Sequence, residues 1–156
     1  MKGNPDILTL LNDLLTNELT SINQYFVHAK MQQNWGYERL AKKVHDESIE
    51  EMKHADELID RILFLEGVPN LQRLNKLNVG QTVEEQLRSD LGLERIAVDV
   101  LNKGIQKGRD LGDNGTEELL SDMLEDEEEH LNWLETQLEL ISQVGLQNYL
   151  AEQMRA

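Results

Sequence analysis

Cysteine is missing from the 156-residue chain, and proline occurs only twice. The first absence excludes disulfides, thiolate metal sites and iron–sulfur clusters. The second, with few β-branched runs, leaves long stretches that nothing need interrupt as helix. Aromatic residues are only 4% of the chain, so any core is mainly aliphatic. Basic residues are scarce, 15 against 30 acids, for a net charge of −15. That balance argues against nucleic acid and anionic membrane, which need a basic face, and favours cations or basic partners. No apolar run approaches the ~20 residues of a membrane-spanning helix, and "MKGNPDILTLL" has no signal-peptide pattern. The expectation is a cytoplasmic protein with a single domain over residues 1–156.

What is present reads as an all-α chain. Asn4-Pro5 has the form of an N-cap followed by proline in the first helical position, and the helix it opens is expected to run to about Asn34, with Gly36 as C-cap. A second helix is predicted from Glu38 to about Leu65, stopped by "EGVPN". Some 17 residues then lead to Thr82, long for a helix hairpin. Extended, they would reach roughly 55 Å, more than the ~40 Å of such a helix, so they can cross the whole bundle. Thr82 and Glu85 form a capping-box pattern for a third helix ending near "RDLGDNG". Thr116 is expected to start a fourth helix, running to Val144. Gly145 breaks it, and "LQNYLAEQM" can form a short fifth. Four long helices with one long crossover suit a ferritin-like bundle.

Each long helix carries an apolar stripe, and each stripe is interrupted near its middle by glutamate. The first runs Leu11, Leu15, Glu18, Ile22, Tyr25, Ala29. The second runs Leu40, Val44, Glu47, Glu51, Leu58, Ile62, Leu65. The third runs Leu87, Leu91, Glu94, Val98, Leu101, Ile105. The fourth runs Leu120, Leu124, Glu127, Leu131, Leu134, Leu138, Ile141. A buried carboxylate costs several kcal/mol unless it is paired or bound to metal. Four together would repel strongly without cations.

The spacings repeat. Glu51 and His54 form Glu-x-x-His, as do Glu127 and His130; residues three apart share a helix face and can reach one metal. Glu18 precedes Glu51 by 33 residues and Glu94 precedes Glu127 by 33. Glu18/Glu94, Glu51/Glu127 and His54/His130 are each offset by 76. The halves therefore look like a degenerate repeat of one helix hairpin. Because the turns fall midway between Glu18 and Glu51 and between Glu94 and Glu127, all four acids and both imidazoles can converge mid-bundle. Six N/O ligands without sulfur suit iron or manganese, with zinc able to compete, and the pattern is that of dinuclear carboxylate sites in helical bundles.

With "NELTSINQYFVHAKM", "HDESIEEMKHADELIDRILFLEGVPNLQ", "RSDLGLE", "DEEEHLNWLETQLELI" and "GLQNYL", the chain resembles the bacterioferritins along nearly its whole length. The resemblance implies Glu18 and Glu94 as terminal ligands of a di-iron centre, Glu51 and Glu127 as bridges, and His54 and His130 as one ligand to each iron. It implies a 24-subunit hollow shell that oxidises Fe(II) with O2 or H2O2 and stores the ferric mineral. It also implies haem b between two-fold-related subunits, held by one methionine from each, and Met52 matches that methionine. Met52 shares a second apolar stripe with Ile49 and Ile59, which suits a partner subunit. Tyr25 and Trp133, flanking Glu18 and His130 on their helices, are the implied electron donors when iron cannot supply one. A small ferredoxin is the implied reductant. Asp46, where many relatives have histidine, and Glu50 are expected toward the shell interior. His28, off the best stripe, is expected at the surface or an interface. Two rival readings are a rubrerythrin-like di-iron peroxidase and a non-catalytic haem-binding shell subunit. The missing cysteines speak against the first, since no rubredoxin-like iron site can form, and the complete ligand pattern against the second.

Overall fold

A computed structural model describes residues 1–155. It has five helices: α1 (Pro5–Asn34), α2 (Glu38–Phe64), α3 (Val83–Asp110), α4 (Asn114–Val144) and the short α5 (Leu146–Gln153). The ends follow their capping chemistry. The Asn4 side chain accepts from the Asp6 N–H and the Thr82 side chain from the Glu85 N–H. Glu85 reaches back one residue further than a standard capping box, accepting from the Gln81 N–H at 2.8 Å. The fourth helix begins two residues before Thr116, because the Asp113 side chain accepts from the Thr116 N–H and serves as the cap. α1 closes as a Schellman motif: Gly36, at φ +89°, and Tyr37 donate back to the Gln33 and Gln32 carbonyls at 3.0 Å. At the end of α2 the left-handed position falls on Glu66 (φ 62°) rather than on Gly67. Gly67 is needed for space instead, since a Cβ there would lie 2.5 Å from Leu8 Cδ2.

Two apolar clusters make the core. One joins Leu11 and Leu15 to Leu58, Ile62, Leu101 and Leu120. The other joins Tyr25 and Ala29 to Leu40, Val44, Leu87 and Leu134. These pairings make α1 and α4 run one way and α2 and α3 the other, so the α2–α3 connection must travel the length of the bundle. Between the clusters lies the level of the interrupting glutamates. On α3 the buried line differs from the expected stripe: Ala97 and Gly104 are buried, while Val98 and Ile105 are half-buried. The cause is close helix approach, since a Cβ on Gly104 would meet Leu120 Cδ1 at 2.9 Å.

The crossover is held by side chains spaced four apart on α1. Asn12 Oδ1 accepts from the Asn70 N–H (2.8 Å), Thr20 Oγ1 from Asn75 (2.9 Å), Gln24 Oε1 from Asn78 (2.9 Å) and His28 Nε2 from Gly80 (3.0 Å). Thr16 Oγ1 accepts from Arg73 Nε at 2.9 Å. Each step of four residues on α1 rises ~6 Å and is met two or three residues further along the crossover, which therefore runs nearly extended beside the helix. His28 is thus fully buried rather than at a surface, and its Nδ1 lies 2.9 Å from Asp90 Oδ1. At the far end, Tyr149 of α5 donates to Gln137 Oε1 at 2.8 Å, seating α5 on α4.

Candidate metal centre

Between the two clusters the bundle closes on acids. Glu18, Glu51, Glu94 and Glu127 are each at most 2% exposed, His54 3% and His130 5%. The six side chains come from all four long helices, two each from α2 and α4. Two ligand groups overlap. Glu18, Glu51, His54 and Glu127 each offer an atom, all within 4.8 Å of one another; Glu47, Glu51 and His130 form a second group by the same measure. His54 Nδ1 faces inward, 2.9 Å from Glu127 Oε1, 3.7 Å from Glu51 Oε2 and 3.8 Å from Glu18 Oε2. His130 Nδ1 lies 2.8 Å from Glu94 Oε1 and 3.6 Å from Glu47 Oε2.

The charge balance is unfavourable without cations. Glu18 Oε2, Glu94 Oε2 and Glu127 Oε2 are buried and have no hydrogen-bond partner. Burial pushes all three carboxyls above their ordinary range, Glu94 well above, with the neighbouring Glu127 raising it further. For His54, burial disfavours the charged ring, but contacts with Glu127, Glu18 and Asp126 outweigh it and lift the imidazole to about 11. His130 is raised in the same sense, burial being outweighed chiefly by Glu94. The raised values all favour the protonated forms, which leave the least net charge in the cluster without cations. A donor set of carboxylate oxygens and imidazole nitrogens, with orphaned oxygens aimed inward, fits two such ions.

Tyr25, fully buried, donates its hydroxyl to Glu94 Oε1. Burial first, then the charges of Glu94, Asp90 and Glu127, hold its phenol well above the ordinary value, so it stays protonated. Its ring meets that of His130 in a T-shaped contact at 5.3 Å, and Trp133 stacks on His130 at 6.1 Å. Met52 is apart from this group, 51% exposed on α2 with Ile49 and, on α1, Phe26 also exposed. Asp46 and Glu50 lie on the surface of α2, paired with Lys42 and Lys53 at 2.7 and 2.9 Å.

The structure brings two further acids to the site that no spacing motif marks. Glu47, in the α2 stripe, contacts His130 and pairs with Lys43 at 2.8 Å. Lys43 also lies 5.3 Å over the Trp133 ring. Asp126, one residue before Glu127 and therefore off the stripe, accepts from His54 Nε2 at 2.9 Å. Both line a pocket of about 540 Å³ between α2 and α4 that reaches His54 and His130 from outside.

The chain is similar to known proteins over almost its full length. A family described as "Ferritin-like domain" matches residues 8–144. The bacterioferritin BfrA of Mycobacterium tuberculosis is 49% identical over 152 residues, covering 97% of this chain and 96% of that protein. The bacterioferritin of Streptomyces coelicolor is 46% identical, covering 97% and 90%. That of Brucella melitensis is also 46% identical, covering 96% and 92%. No helix among the described residues is long and apolar enough to cross a membrane.

Proposed function

The chain belongs to the ferritin-like family, among its bacterioferritins, and on that premise we propose that it stores iron and oxidises Fe(II) at the buried acid–histidine cluster. The single observation that carries this reading is the set of three orphaned carboxylate oxygens beside two inward-facing imidazoles. A protein that did not bind cations there would bear the repulsion for nothing.

Two Fe(II) ions are the substrate. Glu18 and His54 hold one, Glu94 and His130 the other, and Glu51 and Glu127 lie between. Two ions deliver two electrons together: O2 takes them with two protons to give H2O2, and H2O2 takes two more with two protons to give water. Ligation requires deprotonated carboxylates and neutral imidazoles, so metal binding releases whatever protons these groups hold. Tyr25 and Trp133 supply an electron when no Fe(II) remains, a role supported by the bond of Tyr25 to Glu94 and the stacking of Trp133 on His130. Fe(III) then passes to a ferric mineral inside a shell of 24 copies, with Asp46 and Glu50 on its inner surface, in the cytoplasm.

Met52 fits haem b by its chemistry: an exposed thioether in an apolar surround, able to pair with its symmetry mate across a two-fold axis. The haem would carry electrons inward for iron release, with a small ferredoxin as donor.

The test is stopped-flow absorbance after aerobic Fe(II) addition. Wild type is expected to show a fast phase saturating at two Fe(II) per subunit, and Glu18→Ala and Glu127→Ala to lose it. Unchanged rates in both variants would overturn the site.

A further inference from the structure

The repeat that builds the site is not carried into its surroundings. His54 has both ring nitrogens engaged: Nδ1 toward Glu18, Glu51 and Glu127, Nε2 on the Asp126 carboxylate at 2.9 Å. His130 has only its Nδ1 engaged; no hydrogen bond among the described residues reaches its Nε2, and its flanks are the faces and edges of Tyr25 and Trp133. The residue 76 before Asp126 is Glu50, which keeps the acid but turns it to Lys53 at 2.9 Å. One imidazole is therefore backed by an acid and the other is not.

This difference bears on metal affinity. A carboxylate that accepts from the outer nitrogen of a histidine fixes the tautomer, leaving the inner nitrogen's lone pair for the metal. It also locks the ring plane and makes the ring a stronger donor; losing such a partner typically costs about 10–100-fold in affinity. We infer that Asp126 is a positioning residue for His54, and that it makes the His54 half of the centre the tighter of two unequal metal positions, filled before the His130 half. The inference rests on the reading of the cluster as a two-metal site. Because Asp126 is 56% exposed on its side chain, its truncation removes no core packing. A surface ion pair without this role would leave metal binding unchanged.

The experiment is titration of the assembled, metal-free protein with Co(II), which air leaves divalent and whose visible absorption reports each ligand environment. Heat and absorbance are read together. Wild type should bind two Co(II) per subunit in two separable phases. His54→Ala should remove the tight phase and His130→Ala the weak one. Asp126→Ala should weaken the tight phase about 10–100-fold and alter its spectrum, Asp126→Asn should recover part of the loss by keeping an acceptor, and Glu125→Gln, the neighbouring acid with no contact to either histidine, should change neither phase. If the two histidine variants each remove a phase while Asp126→Ala changes nothing, or weakens both phases alike, the role of Asp126 is refuted and the two-metal site stands. If neither histidine variant alters Co(II) binding, the site reading fails and this inference with it.

Discussion

Raising the pH should destabilise the metal-free protein, and binding metal should abolish that dependence. The folded protein holds a proton on His54 up to about 11, whereas an unfolded histidine releases it near ~6.5. Between those values the folded state binds the extra proton, so stability is full below the lower value and is lost as pH rises toward the upper. One proton changes stability by about 1.4 kcal/mol per pH unit. From pH 7 to 9 the loss from His54 alone is then about 2.7 kcal/mol. The buried acids Glu18, Glu94 and Glu127, also raised, act in the same sense over their own range. Unfolding entropy near ~2.1 cal/mol/K per residue gives about 0.33 kcal/mol/K for 156 residues, hence a fall in Tm of about 8 °C. Scanning calorimetry of chelator-treated protein at pH 7, 8 and 9 measures it. His54→Gln should flatten the slope, and so should saturating Co(II), whose ligands have already lost their protons. A Tm level or rising from pH 7 to 9, or an equal fall in His54→Gln, would refute the electrostatic account of the site.

Other perturbations reach separate parts of the molecule. Met52→Leu should abolish the low-spin absorption of bis-methionine haem without changing Fe(II) oxidation by the buried cluster; a persisting spectrum would remove Met52 from the haem site. Tyr25→Phe and Trp133→Phe should leave the binding of two Co(II) intact but diminish the protein radical seen by electron paramagnetic resonance after Fe(II) and H2O2. A radical signal unchanged in both would deny them the donor role. His28→Ala should cost about 1–3 kcal/mol by leaving the Asp90 carboxylate and the Gly80 N–H short of partners, read as a lower denaturant midpoint. An unchanged midpoint would mean that the crossover is held elsewhere.

Helices were legible where local chemistry and periodicity agree: Asn4-Pro5, Thr82 and Gly36 mark their ends, and the 76-residue echo of Glu-x-x-His located the four inward acids. The crossover's length revealed that it spans the bundle, but not what it rests on. Its track on α1 is polar, Asn12, Thr16, Thr20, Gln24 and His28, and a search for apolar stripes passes over polar residues at helical spacing. His28 escapes such a search for that reason: it is held in the interior by hydrogen bonds to Asp90 and Gly80 rather than by an apolar stripe. Val98 and Ile105 are only half-buried, against the periodicity, because Gly104 faces the neighbouring helix where the backbones come close. Asp126 shows the limit most plainly. Its sequence neighbours are all acids, and only the position of His54 Nε2 distinguishes it from them.

The central claim is that six side chains hold two metal ions mid-bundle. The most direct measurement is anomalous diffraction from crystals of the assembled protein soaked in Co(II), or anaerobically in Fe(II). The account predicts two peaks per subunit, one among Glu18, Glu51, His54 and Glu127, the other among Glu51, Glu94, Glu127 and His130. No peak there, or metal only on the surface acids, would contradict it.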